Sequence, residues 1–403
     1  MTWYLPMKQP MRPLRFLPCL FFCLACCAVP SHAAPYIPKD GKQVVEHLPS
    51  RLDPVQRDLL RLRTELNKSP DDVVLASTLA QRYIEQARLE GDPRYLGYAE
   101  AALKPWWKLA EPPEQVLVLR ATLRQSTHQF PAALADLDQA VKRDSDNVQA
   151  WITRATVQMI TGDFAAAKAS CMRLYSRAPQ LVVQTCLSNI ANVSGQGPAS
   201  YRQLAATLAA QRDVTPAIRI WVTTLLAEMA ARAGDDAGAE TYFKQALAVD
   251  KADSYLLAAW SDFLLDHGRA PEVARLLQDK TRADALLLRY ALALTAMKSP
   301  GAAAQVDALR ARFDAAMLRG DTVHQREQAR FELALRNRPA DAVRLAKLNW
   351  AVQKEPADFR ILADTAAASG DAEARALVVD WRRKSGLQDA GVTPALRRLK
   401  VVA

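Results

Sequence analysis

Few side chains able to do chemistry occur in this chain, and they are scattered. His47, His128, His267 and His324 lie far apart, and none has a second His or a Cys at helical spacing. A metal site needs three or four convergent ligands. Beyond the N-terminal segment there is no Cys-x-x-Cys, and the chain has no His-Glu-x-x-His, no Gly-rich phosphate loop and no serine nucleophile elbow. The carboxylate pairs Asp71-Asp72 and Asp235-Asp236 read as turn residues, where helix capping accounts for them. The expectation is therefore no enzyme, with no catalytic, cofactor-binding or metal site.

Six cysteines are present. Cys19, Cys23, Cys26 and Cys27 fall in a segment that reads as an export signal. Lys8, Arg12 and Arg15 form its basic start, an apolar run follows from Phe16 to Val29, and Ser31-His32-Ala33 supplies small residues for cleavage after Ala33. A retained anchor is one alternative, and a lipoprotein modified at Cys27 is another. Export places the mature chain in the periplasm of a bacterium, with no stable transmembrane segment, since no other stretch approaches about 18 consecutive apolar residues. That compartment is oxidising, and the mature chain keeps only Cys171 and Cys186. They lie about equally far on either side of a turn near Ala178-Pro179, so neighbouring antiparallel helices can bring them together. A disulfide is expected, with two small buried thiols as the alternative.

Half of the 403 residues are apolar, and only 14 are glycine. Alanine, leucine, arginine and glutamine dominate, which favours helix. The formal charge of +10 is spread along the chain, densest at Arg382-Arg383-Lys384 and Arg397-Arg398-Lys400. No basic stripe carries interleaved aromatics, so nucleic acid is not an expected partner.

The strongest pattern is self-similarity at a period of about 34 residues. Trp151, Ala155, Gly162-Asp163-Phe164, Ala167 and Pro179 form one unit; shifted back by one period they become Leu117, Ala121, Phe130 and Ala133, and Ala99 lies one further period before Ala133. Each unit reads as two antiparallel helices. Where their axes come closest only a small side chain fits, hence Ala155 facing Ala167, with Trp151 and Phe164 filling the space around them. Gly162 permits a positive φ, Asp163 caps the second helix, and Pro179 ends it. Asp53-Pro54 reads as the cap and first residue of a leading helix ending near Asn67.

These residues resemble the tetratricopeptide repeat family. Ala227, Gly234, Ala239, Phe243 and Ala246 match it almost as well. Trp260, Leu264 and Gly268 match more weakly, and the stretch 285–323 is the poorest. In the first unit Ala99 comes late, which implies a longer first helix or a larger turn around Gly91-Asp92-Pro93. The resemblance implies an all-α, right-handed α-solenoid of about nine stacked antiparallel helix pairs. The expected organisation is a signal peptide at 1–33, an N-terminal segment with a leading helix at 34–70, the repeat domain at 71–389 and an extended basic tail at 390–403.

The resemblance also implies a scaffold that binds another protein or a peptide on its concave face. Carried over by position, the groove residues are Gln115, Thr122 and Gln125; then Gln149, Thr156 and Met159; then Trp221, Thr224 and Glu228. Two rivals differ in class. One is an exported α/α toroid acting on polysaccharide, which needs converging carboxylates. The other is a solenoid held to anionic envelope material by charge.

Overall fold

A computed structural model describes residues 53–401 together with Asp40. The signal segment, Cys27 and His47 lie outside the described residues. From Asp53 onward the chain forms one compact unit, and no strand occurs among the described residues.

Helix α1 (Pro54–Lys68) leads, with the Asp53 carboxylate accepting from the Gln56 amide. Then come α2 (Val73–Glu90), α3 (Arg94–Ala102) and the short α4 (Lys104–Trp107). Next are α5 (Glu114–Ser126), α6 (Phe130–Arg143), α7 (Val148–Ile160) and α8 (Phe164–Met172). The middle holds α9 (Gln180–Val193), α10 (Gly197–Ala209), α11 (Pro216–Ala233) and α12 (Asp236–Val249). After these lie α13 (Ser254–Asp266), α14 (Ala270–Leu277), α15 (Asp284–Ala296) and α16 (Ala302–Leu318). The chain closes with α17 (Gln325–Ala334), α18 (Pro339–Val352), α19 (Pro356–Ser369), α20 (Ala372–Ser385), a 3-10 turn (Ala390–Val392) and α21 (Thr393–Arg398).

Setting aside α1, α4 and α21, consecutive helices pack as pairs, from α2 with α3 through α5 with α6 to α19 with α20, which makes nine pairs among the described residues. The chain is an α-solenoid of stacked antiparallel helix pairs. The small residues sit where the period requires: Ala99, Ala133 and Ala167 are wholly buried, as is Ala121, and Ala155 is nearly so. The late Ala99 follows from a longer first helix, since α2 has 18 residues against 13 in α5 and α7. Cys171 on α8 and Cys186 on α9 form a disulfide with their Cα atoms 5.7 Å apart. It joins two neighbouring pairs within a buried cluster that includes Leu174 and Ile190.

One residue in each pair takes the left-handed conformation at the turn between its helices. Six are glycines: Gly91, Gly162, Gly195, Gly234, Gly268 and Gly370. His128, Lys298 and Asn337 fill the other three, at φ 58°, 53° and 52°. Such a φ favours Gly because it has no Cβ to meet the carbonyl oxygen. Lys298 accounts for the poor match of 285–323, where α15 and α16 form an ordinary pair turned through a lysine.

The C-terminal residues correct the expectation of an extended tail. Residues 390–401 form the 3-10 turn and α21, with Val392, Ala395, Leu396 and Leu399 buried in the cluster around α19. Burial of these four apolar side chains outweighs the mutual repulsion of Arg397, Arg398 and Lys400 at the surface.

The solenoid also meets itself. The turn after α2 seats on loops far along the chain: the Ser254 hydroxyl donates to the Leu89 carbonyl, 165 residues away, and Arg88 pairs with Asp253. The Lys354 amide donates to the Ile160 carbonyl at 2.7 Å. The Trp381 ring lies against Phe164 at 5.7 Å and covers Gly162. Gly386 abuts Gly195, backbone to backbone. The turns of early pairs therefore rest on the loops and helices of late pairs.

A paired substitution tests this contact. A Cβ at Gly162 would stand 2.8 Å from Trp381, whereas one at Gly268 meets nothing within 4 Å, and both residues have positive φ. Gly268→Ala should cost roughly 1–2 kcal/mol from backbone strain alone. Gly162→Ala should cost roughly 1–3 kcal/mol more from overpacking. Denaturant midpoints read the difference, and equal losses would contradict the seating of Trp381 on this turn.

Candidate functional site

The faces of the first helices carry a ladder of charge that converges between α11 and α19. Asp262 on α13 receives hydrogen bonds from Arg289 of α15 at 2.6 Å and from Arg330 of α17 at 2.5 Å. Asp266, one turn further along α13, takes a two-pronged contact from Arg360 of α19 at 2.6 and 2.7 Å. Burial acts to raise the Asp262 carboxyl, but the two arginines outweigh it and hold it below the usual range. Arg330 and Arg360 reach α13 from two and three pairs away, so the faces of these helices look into a space narrow enough for side chains to span.

Arg326 organises the neighbouring part. It bonds Glu327 and Glu355 at 3.2 Å and Asp358 at 3.3 Å. Asp358 is fully buried; one of its oxygens also accepts from Asn349 and Gln353, and the other from the Glu355 amide in a capping box that starts α19. Burial, with Asp358 beside it, raises the Glu355 carboxyl from 4.5 to about 7. His128, on the turn after α5, faces Arg326, Asp358, Glu327 and His324; burial first and Arg326 second lower its basicity.

The residues expected to line a groove are distributed as follows. Gln115 and Gln149 are exposed, and Gln149 bonds Thr153 on its own helix. Thr122 and Thr156 are half-buried, and each turns its hydroxyl back to a carbonyl of its own helix. Gln125 is half-buried, and Met159 packs against the clusters on either side of it. Trp221 is half-buried, while Thr224 is buried with no partner for its hydroxyl among the described residues. Glu228 is the one of these residues that accepts a hydrogen bond from a neighbouring pair, at 2.8 Å from the Tyr255 hydroxyl on α13.

Sequence reasoning missed the ladder, although a signal for it was present. Asp262 stands one repeat period after Glu228, Asp266 stands one period after Arg232, and Asp364 stands three periods after Asp262. Carrying the Glu228 position forward one unit would have reached Asp262. Arg326 and Arg330 lie in a pair turned through Asn337 rather than Gly, where the register is hard to read.

Among the described residues no group of His, Cys, Asp and Glu is placed to hold a metal ion, and no helix is long and apolar enough to cross a membrane. A cleft of about 310 Å³ lies where Arg232, Asn192 and Met229 meet Asp389 and Leu396.

The class these features define is a self-contacting α-solenoid with charged first-helix faces. No protein-family model matches the chain, and no curated protein matches it in sequence. Similar solved structures include a monomeric mutant of IFIT1 with Gppp-AAAA, at 14% identity and a TM-score of 0.39, covering 87% of this chain and 83% of that one. Another is yeast Tom70, at 12% identity and a TM-score of 0.32, covering 86% of this chain and 91% of that one. The fold assignment rests on the helix pairs themselves.

The pH dependence of stability should carry the mark of Glu355. Its folded pKa is raised, so its contribution is fully present at acid pH and is lost as pH climbs through about 7. Glu355→Gln should flatten the fall in melting temperature between about pH 5 and about pH 8. An unchanged slope in that window would show that the carboxyl ionises freely.

Proposed function

We propose that this protein is a non-enzymatic scaffold or assembly factor that acts outside the cytoplasm, in the periplasm, and binds a partner protein or peptide along its first-helix faces. The observation that carries this reading is the fold: the nine stacked pairs among the described residues present a continuous run of first-helix faces. Stacked repeats offer extended surface, which suits recognition of a chain or a folded partner. The proposed contact residues are Gln115, Thr122, Gln125, Gln149, Thr156, Met159, Trp221, Thr224 and Glu228. The exposed and half-buried members are the ones that can give contact area, Gln115, Gln149 and Trp221 first, while Thr224 is buried and Met159 packs against buried apolar clusters. The Cys171–Cys186 disulfide fits an oxidising compartment.

Affinity capture tests this reading. The wild-type chain should retain one protein from extracts of its own compartment. The triple variant Gln115→Ala, Gln149→Ala and Trp221→Ala should lose that protein while keeping its helical signal and melting temperature. Retention by the triple variant would place the contact elsewhere on the surface.

A further inference from the structure

The groove between α11 and α13 differs from the rest of the charged ladder. Asp262, Asp266, Glu327, Glu355, Asp358 and Asp364 each meet an arginine. Glu228 meets none among the described residues. Among the described residues its single direct partner is the Tyr255 hydroxyl, which bonds one carboxylate oxygen and leaves the other to accept. Arg232, Asp262 and Arg326 act on Glu228 only from beyond ion-pair distance. Tyr255 is 57% exposed, an unusual state for a large aromatic set among ion pairs. Trp221 stands one repeat period before Tyr255, in the same register, and two helical turns before Glu228 on the same face of α11. The groove is thus open at Tyr255, while arginines bridge it beyond, at Asp262 and Asp266.

We infer that this opening receives a basic side chain of the partner, a lysine ammonium or an arginine guanidinium, on the Glu228 carboxylate and against the rings of Tyr255 and Trp221. The inference rests on the groove reading above and names the chemistry of its occupant. A half-buried carboxylate without a cation gains most from one supplied by a ligand. Aromatic faces favour a cation beside them, and more so where water is partly excluded. An acidic segment would meet Glu228 unscreened. A neutral one would leave it unpaired.

Labelled tetra-arginine, tetra-glutamate and tetra-serine peptides, titrated against the full chain by fluorescence anisotropy, test this. Tetra-arginine should bind, and Glu228→Gln should weaken it by about tenfold or more without lowering the melting temperature. Tyr255→Leu should weaken it as well, and Asp307→Asn, an equal charge change at an exposed site on α16, should not. Equal weakening by Glu228→Gln and Asp307→Asn, or no weakening by either, overturns the inference. If tetra-glutamate or tetra-serine binds instead and Trp221→Ala abolishes that binding, the groove reading stands and the basic occupant falls. Failure of all three peptides overturns the basic occupant, and the capture experiment then decides the groove reading separately.

Discussion

The structure depends on the return of the solenoid upon itself. Each pair turns through one left-handed residue, and the turns of early pairs rest on residues of late pairs. The tight approach at Gly162, where a Cβ would collide with Trp381, and the backbone contact of Gly195 with Gly386 leave no room for larger side chains. Small residues at the pair crossings act in the same way one level down. Ala99, Ala133 and Ala167 let two helices approach, and the glycines let successive windings approach.

Close winding brings the first-helix faces together, and this explains why the charges they carry are paired. A face in a narrow space cannot stay fully hydrated, so each carboxylate there needs a partner. Arg289, Arg330 and Arg360 supply partners to α13 from the next three pairs. Arg326 does the same for Glu327, Glu355 and Asp358, yet burial first and the adjacent Asp358 second outweigh it at Glu355, which therefore takes up a proton more readily. Glu228, with a tyrosine hydroxyl in place of an arginine, is the exception, and it lies where the groove is open.

Much of the fold was legible in the sequence because the repeat expresses a steric rule. Gly162-Asp163 announced a turn and a cap, and both are present, with the Asp163 carboxylate accepting from the Ala166 amide. The rule became hard to read where another residue tolerates the same backbone, as Lys298 and Asn337 do. The tail was misread because Arg397, Arg398 and Lys400 dominate its composition, whereas Val392, Leu396 and Leu399 decide its packing. The ladder was hidden for a different reason. Asp262 and Arg330 are 68 residues apart, and only the winding of the solenoid makes them neighbours. The repeat period reports what lies within a pair and between adjacent pairs; it does not report what meets across the groove.

A double-mutant cycle on Asp262 and Arg330 tests the winding most directly. Asp262→Asn, Arg330→Met and the double variant would be compared with wild type by denaturant unfolding at low salt. A closely wound solenoid predicts a coupling energy of about 1 kcal/mol or more between these residues. Additive losses, with coupling indistinguishable from zero, would mean that α13 and α17 stand apart in solution and that the groove is open along its whole length.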